Sequence, residues 1–199
     1  DVMDSTFTLT LARHAKTQGN VERKYVGWTD EGIIESELPI IDSTVQIVYG
    51  SDLKRCEQTA KQYYPHATFH RIPAFRETNF GDFEMKTYED LKEDEVYRAW
   101  IYDPLQVAPP NGESFQKFQQ RVEMGISEIT EAEKCAMVLH GGTIRILLMK
   151  YAPTPTVFWD WSISHDEMYE LTFTSFQDFK EGKRCISLSV AHITEKENM

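Results

Sequence analysis

The sequence predicts an α/β fold with a layered sheet, a helical insertion and a hairpin at its end. Two observations support this. Segments with the apolar alternation of strands take turns with segments of helical pattern along most of the chain, which is typical of sheets covered by helices. The last two strand-like segments are separated only by a short turn, which indicates an antiparallel pair.

Three strands and one helix are predicted in the first third of the chain. The segment Thr6 to Ala12 alternates apolar and β-branched residues and stops at a polar Arg-His pair. Gly and Pro residues mark the ends of the elements that follow, because they rarely continue a strand or a helix. Those elements are a strand at Val45 to Tyr49, a helix at Leu53 to Tyr64 and a strand at Ala67 to Ile72.

The middle of the chain, Phe75 to Glu133, predicts a mainly helical insertion that caps one end of the sheet. Its helices are expected at Glu89 to Tyr102 and at Glu113 to Glu133, separated by a proline-rich loop. After it, an apolar strand leads into a helix that ends before two prolines, and two strands joined by a turn follow. These elements are Cys135 to Leu139, Thr143 to Tyr151, Met168 to Thr174 and Cys185 to Val190.

The composition is that of an ordinary soluble globule, expected to form one domain over residues 1–199. A chain of 199 residues can bury roughly 70% of its unfolded surface without disulfides or metals. Cys56, Cys135 and Cys185 form no CxxC motif and are expected to be free thiols in a reducing compartment. The longest apolar run, Ile144 to Met149, is too short to span a bilayer, and no signal peptide is recognisable. We therefore expect a cytoplasmic protein.

The net charge narrows the choice of partners. A value of −11 argues against nucleic acid and against an anionic membrane, because both favour a basic protein surface. It leaves room for one small phosphorylated ligand, since a few arginines bind a phosphate through direct bidentate contacts that a distant, screened charge does not cancel. The expected partner is therefore a small phosphorylated substrate, and a homodimer is left open.

Histidine and arginine residues follow three of the predicted strands. In an open α/β sheet, ligands bind beyond the carboxyl ends of the strands, where helix N-termini favour anions. Arg13 and His14 end the first strand, Arg55 opens the helix after the second, and His140 lies between a strand and a helix. A neutral imidazole can attack phosphorus while guanidinium groups balance the charge on the oxygens. This set predicts phosphoryl transfer and requires an acid that protonates the leaving alcohol.

Five sequence blocks, in this order, resemble the histidine phosphatase superfamily, the phosphoglycerate-mutase-like proteins. The resemblance extends from Leu11 to Tyr151. The blocks are LARHAKTQGN, SDLKRCEQTA, RETNFGDFE, PPNGES and VLHGGTIR. It implies a three-layer α/β/α sandwich with a mostly parallel sheet and an antiparallel strand, and activity without a metal or another cofactor.

The resemblance also implies roles for individual residues. His14 is the residue that becomes phosphorylated, and Glu77 is the general acid. Lys24 falls near the phosphate or the tail of the substrate. The phosphate pocket is expected to contain Arg13, Asn20, Arg55, His140 and Gly141.

The residues within these sequence blocks favour one branch of the superfamily. PPNGES, HGGTIR and the short chain are similar to the alpha-ribazole phosphatases and broad-specificity phosphatases, whereas the mutases have a longer insertion and usually HGN after the last strand of the site. Hydrolysis of a small phosphorylated metabolite is therefore expected, with alpha-ribazole 5'-phosphate as a candidate. Two alternatives stay open: a phosphoglycerate-type mutase, and a phospholigand-binding module with impaired catalysis.

Three departures from the family pattern bear on that activity. Ala15 and Met85 stand where relatives commonly have Gly, which brings the local backbone geometry into question. The segment between Asp30 and Ser51 has no room for the longer helix of relatives, so one face of the sheet is expected to be less covered.

Other catalytic classes lack their central residues in this sequence. None of the cysteines is followed by the arginine of a Cys-x5-Arg phosphatase loop, and there is no GxxxxGK[ST], GxGxxG or GxSxG motif. His66 and His70 have the spacing of a helical metal pair, but they fall in or beside a predicted strand, where four residues span about 13 Å. A zinc site is therefore not expected.

Overall fold

A computed structural model of the protein describes residues 5–193 and contains one six-stranded sheet. The strands are β1 (Phe7–Arg13), β2 (Ile47–Gly50), β3 (Thr68–Arg71), β4 (Lys134–Leu139), β5 (Glu167–Phe173) and β6 (Ser187–His192). Their order across the sheet is β3-β2-β4-β1-β5-β6. Strands β1 to β4 pair in parallel, whereas β5 is antiparallel to both β1 and β6. The predicted mostly parallel sheet with a final hairpin is confirmed.

Helices lie on both faces of this sheet. They are α1 (Gln18–Val21), α2 (Lys54–Tyr63), α3 (Tyr88–Leu91), α4 (Glu95–Tyr102), α5 (Phe115–Gly125), α6 (Gly141–Tyr151) and α7 (Phe176–Lys180). Short 3-10 helices occur at Pro73–Phe75, Gly81–Phe83, Ile126–Glu128 and Phe158–Asp160.

The alternation of side chains along β4 shows the three layers. Met137 and Leu139 pack into a large core with α5 and α6, whereas Ala136 and Val138 point to the opposite face and pack with α2. Successive residues of a strand face opposite sides of a sheet, so one strand serves both cores. The three-layer α/β/α sandwich is therefore confirmed.

The cap differs from its predicted form in helix length. The helix expected from Glu89 to Tyr102 is two helices, because the Asp94 side chain accepts a hydrogen bond from the Tyr97 N–H and begins α4 anew. The helix expected to reach Glu133 ends at Gly125, where a Cβ atom would come within 2.6 Å of the Phe75 ring.

The segments on either side of the cap also differ in detail. Strands β5 and β6 are joined by α7 as well as by a turn, and Ser175 caps this unpredicted helix. The short helix α1 was not predicted either, although Thr17 and Asn20 form a local capping box.

The expected loss of a helix before β2 is confirmed. No helix occurs between Val21 and Lys54 in the described chain. The chain crosses that face in extended form and leaves a groove of about 490 Å³, lined among others by Thr8, Thr10 and Met168. Within residues 5–193, no helix is both long and apolar enough to cross a membrane.

Candidate active site

The register of the parallel strands brings the two histidines together. Arg13 at the end of β1 pairs with Leu139 at the end of β4, so the residues that follow, His14 and His140, become neighbours. Their ring centroids are 5.2 Å apart. Both side chains are buried, at 3% and 1% exposure. The two strand ends identified in the sequence thus meet at one point.

The His14 ring is held in a single tautomer. Its Nδ1 donates to the main-chain carbonyl of Ala15 across 2.7 Å, so Nε2 of the neutral ring carries a free lone pair. Burial lowers the pKa of His14 well below its ordinary value, and the neighbouring His140, Arg55 and Arg13 lower it further. The imidazole therefore stays neutral and nucleophilic under mildly acidic conditions.

Ala15 serves the site through its main chain alone. Its carbonyl receives the His14 ring nitrogen, and its N–H donates to the Thr59 hydroxyl at 2.9 Å. Ala15 has no positive φ, so its conformation does not require glycine. The methyl group is accommodated at a position where relatives commonly have Gly.

The two arginines are fixed by main-chain carbonyls. Arg13 donates from one terminal nitrogen to Ile163 at 2.6 Å. Arg55 is fully buried and donates to Thr29 at 2.7 Å and Gly27 at 2.5 Å. Burial lowers the pKa of Arg13 to about 10, which still leaves it charged at neutral pH. Both guanidinium groups are therefore positioned before any ligand binds.

Three buried nitrogens of this cluster have no hydrogen-bond partner within residues 5–193. They are Nε of Arg13, Nε of Arg55 and Nδ1 of His140. The other ring nitrogen of His140 lies 2.7 Å from the Ser51 hydroxyl at the end of β2. Buried polar groups are almost always hydrogen-bonded, so unpaired nitrogens gathered on two cations and a histidine are typical of an anion-binding site.

Glu77 lies at the N-terminus of α6. One carboxylate oxygen accepts from the Gly142 N–H at 3.0 Å and the other from the Thr78 N–H at 2.9 Å. A Cβ atom on Gly142 would stand 2.2 Å from that carboxylate, so glycine is required at this close approach. The start of α6 thereby links Glu77 to Gly142, two residues after His140.

Arg121 on α5 holds the segment that carries Glu77. It donates to the main-chain carbonyls of Ala74, Arg76 and Glu77 and pairs through two nitrogens with the Glu113 carboxylate. No sequence pattern pointed to Arg121 or to its pairing with Glu113. Arg121 and Glu113 lie eight positions apart in the sequence, and no local motif predicts their bidentate pair.

The remaining predicted pocket residues take different positions. Asn20 is the third residue of α1, and its carbonyl oxygen accepts from the Thr17 N–H, which leaves the amide nitrogen free to donate. Gly141 packs against the Arg13 guanidinium, where a Cβ would lie 3.1 Å from Cζ. Lys24 pairs with Glu22 at 3.3 Å. Among the contacts of the described chain, none brings Lys24 to His14 or Arg13.

A third histidine, His165, also lies in the site, although no sequence pattern indicated a partner for it. Its Nδ1 contacts the main-chain carbonyl of His14, and its ring lies 5.4 Å from the His14 ring. Burial lowers the pKa of His165 to about 4. It comes from the loop after α6, which also supplies the Ile163 carbonyl to Arg13. Only the fold brings that loop to the end of β1.

An aromatic cleft of about 200 Å³ opens beside Glu77. It is formed by the cap, by the loop after α1, and by α6 with the loop that follows it. Its walls include Tyr25, Phe80, Trp100, Phe115, Phe158 and Trp159. Flat apolar walls next to an anion-binding cluster suit an ester whose phosphate enters the cluster and whose organic part lies between the rings.

Known proteins resemble this chain in sequence and in fold. The histidine phosphatase superfamily (branch 1) matches residues 9–181. The adenosylcobalamin/alpha-ribazole phosphatase of Escherichia coli is 31% identical over 162 residues, which cover 74% of this chain and 80% of that protein. A 2,3-bisphosphoglycerate-dependent phosphoglycerate mutase of Bartonella quintana is 26% identical over 164 residues, covering 71% and 80%. The crystal structure of the alpha-ribazole phosphatase from Shigella flexneri superposes with a TM-score of 0.80 at 26% identity, covering 96% of this chain and 100% of that one.

Proposed function

Because the chain belongs to the histidine phosphatase superfamily and is a phosphatase of that type, we propose that it hydrolyses a small phosphomonoester through a phosphohistidine on His14. The observation that carries this proposal is the group of three unpartnered buried nitrogens on Arg13, Arg55 and His140. A phosphoryl group bound there would pair with all of them. It would also lie next to the His14 ring, whose Nε2 is free to attack.

The proposed reaction has two steps. In the first, the His14 Nε2 lone pair forms a bond to phosphorus while the ester P–O bond breaks, and Glu77 gives its proton to the leaving oxygen. In the second, Glu77 takes a proton from water, whose oxygen attacks the phosphohistidine, and inorganic phosphate and neutral His14 are released. Arg13, Arg55 and His140 bind the phosphoryl oxygens throughout, with the free amide of Asn20 as a further donor.

Protein groups balance the negative charge of the phosphoryl oxygens in the proposed reaction. Two guanidinium groups and the N-terminus of α6 supply positive charge at the phosphoryl oxygens, which is the part that metal ions take in many phosphoryl-transfer enzymes. We therefore expect full activity in the presence of a chelator.

For the substrate, we propose a phosphate ester with a flat organic part, and alpha-ribazole 5'-phosphate is one candidate. Two features support this candidate: relatives named for alpha-ribazole phosphatase activity, and the aromatic cleft beside Glu77. Hydrolysis is favoured over mutase chemistry by the higher identity to the phosphatase of Escherichia coli than to the mutase of Bartonella quintana, 31% against 26%.

The test is hydrolysis of p-nitrophenyl phosphate in excess EDTA by the wild type and by His14→Ala, with the exposed His66→Ala as matched control. We expect turnover by the wild type and by the control, and none by His14→Ala. Quenched reactions should contain an acid-labile phosphoprotein that requires His14. Turnover that EDTA abolishes, or that survives in His14→Ala, would reject the mechanism. A requirement for a bisphosphorylated activator would establish the mutase instead.

A further inference from the structure

Three charged side chains border the aromatic cleft, and the two acidic ones are held by hydrogen bonds. Both oxygens of Glu113 bind Arg121, and both oxygens of Glu77 accept main-chain N–H groups. The third, Arg145, uses only Nε, which donates to the Trp161 carbonyl at 2.9 Å. Within residues 5–193, its two terminal nitrogens have neither a hydrogen bond nor an ion pair. Arg145 is therefore the one cation of the described chain that borders the cleft, and its two terminal guanidinium nitrogens are free to bind a ligand.

The position of Arg145 connects the cleft to the phosphate cluster. It lies on α6 three residues after Gly142, on the same helix face, and Gly142 contacts Glu77. Arg13 and Arg145 donate to the main-chain carbonyls of Ile163 and Trp161, which lie two residues apart in the loop after α6. A ligand with its phosphate near His14 could therefore extend along α6 to Arg145.

Packing fixes the direction of the Arg145 side chain. Its Cζ lies 5.4 Å from the centre of the Phe158 ring, and its Nε is held by the Trp161 carbonyl. Such a guanidinium loses little freedom when it binds a carboxylate through two parallel hydrogen bonds. A neutral leaving group would leave this charge without a counterion.

From these contacts we propose that the preferred substrate has an aromatic leaving group with a carboxylate that pairs with Arg145. This rests on the proposed function and narrows it to phosphate esters whose organic part is an anionic ring. Alpha-ribazole 5'-phosphate, whose ring system has no carboxylate, would then be a poorer substrate than such an ester. The cleft volume of about 200 Å³ is below the ~300–1,000 Å³ typical of sites for drug-sized ligands. It therefore suits a single substituted ring, and esters of neutral ring systems are the poorer substrates.

The experiment compares phenyl phosphate with two substituted esters, carboxyphenyl phosphate and its neutral carboxamide analogue. Each substituted ester is tested as the 3- and the 4-isomer. We measure kcat/KM for the wild type, Arg145→Gln, Arg145→Lys and the exposed control Arg98→Gln. The wild type and the control should prefer one carboxylate over its carboxamide by roughly tenfold, as expected for one charge-assisted pair. Arg145→Gln should lose that preference, with its largest fall in kcat/KM on the carboxylate ester, and Arg145→Lys should retain part of the preference.

Two results would overturn the inference. One is equal kcat/KM for carboxylate and carboxamide in the wild type. The other is a uniform loss on all esters in Arg145→Gln, which would place Arg145 in the phosphate cluster through Arg13. Binding of the matching non-hydrolysable phosphonates, followed by calorimetry, separates this inference from the proposed function. A carboxylate preference in binding without any turnover would reject the hydrolytic mechanism and support the Arg145 site, whereas turnover of phenyl phosphate without that preference would do the reverse.

Discussion

His165 donates a hydrogen bond from Nδ1 to the main-chain carbonyl of His14 across 2.7 Å, and the two rings meet edge to face. The acceptor is the residue that the proposed reaction phosphorylates, and the donor lies 151 residues further along the chain. Because a carbonyl oxygen can only accept, Nδ1 of His165 carries the proton of this bond. Burial lowers the pKa of His165 to about 4, so the ring is neutral at neutral pH. His165 therefore positions His14.

The first prediction concerns this bond. His165→Ala should lower kcat on the order of tenfold and change KM little, because a small displacement of the attacking nitrogen affects the reaction more than phosphate binding. His165→Asn retains a short N–H donor and should recover most of the loss, and the exposed His70→Ala is the control. Steady-state kinetics measure kcat and KM for each variant. Equal decreases of kcat in His165→Ala and His165→Asn would show that the hydrogen bond does not position His14.

The second prediction is a loss of stability in acid. Burial lowers the pKa of His14 and His140 well below 6.5 and that of His165 to about 4. As the pH falls below 6.5, the unfolded chain binds these protons before the folded protein does, so the free energy of unfolding decreases. The difference between 6.5 and about 4 corresponds to about 3 kcal/mol for His165 alone.

Urea unfolding between pH 7 and pH 4 measures this effect. The free energy of unfolding should stay nearly level above pH 6.5 and then fall, and His165→Asn should fall less steeply than the wild type. Parallel curves for the two proteins would mean that His165 is not buried in its neutral form.

The third prediction concerns Arg121, which positions Glu77 to protonate the leaving group. Arg121→Lys cannot hold three carbonyls and a bidentate carboxylate together, so Glu77 should lose its position. We expect kcat to fall by about ten- to a hundredfold for phenyl phosphate and much less for p-nitrophenyl phosphate, whose phenolate leaves without a proton.

Arg71→Lys provides the control for that prediction, because Arg71 pairs with Glu57 on the exposed surface. It should leave both rates unchanged. If Arg121→Lys reduced the two rates by the same factor, Glu77 would not be the acid that Arg121 positions.

The fourth prediction concerns the backbone at Met85. Its φ of 60° places a residue with a side chain in the left-handed region, which costs roughly 1–2 kcal/mol relative to glycine. Met85→Gly should therefore be more stable than Met85→Ala by about 1 kcal/mol in urea unfolding. At the adjacent Lys86, which has no positive φ, the order should be reversed, since glycine there only gains freedom in the unfolded chain. The same order at both positions would argue against strain at Met85.

Features that local sequence determines were predictable, and contacts between distant segments were not. The apolar alternation of β1, the apolar run of β4 and the residues at their ends predicted both the sheet and the meeting of His14 with His140. His165 and Arg121 lie in segments without a local motif, and most of their partners are main-chain carbonyls, which no residue type reveals. The cap helices were predicted too long because helical pattern continues through Asp94, where a side-chain cap starts a new helix.

The position of β1 in the sheet has a consequence for how the protein is made. Both strands that flank β1, β4 and β5, are synthesised more than a hundred residues later. At ribosomal rates of about 5–20 residues per second, β1 waits on the order of ten seconds with both edges open. A nascent apolar strand in that state can pair with other chains. The yield of active protein therefore depends on how well the emerging chain is shielded during that interval, a property that the finished fold does not display.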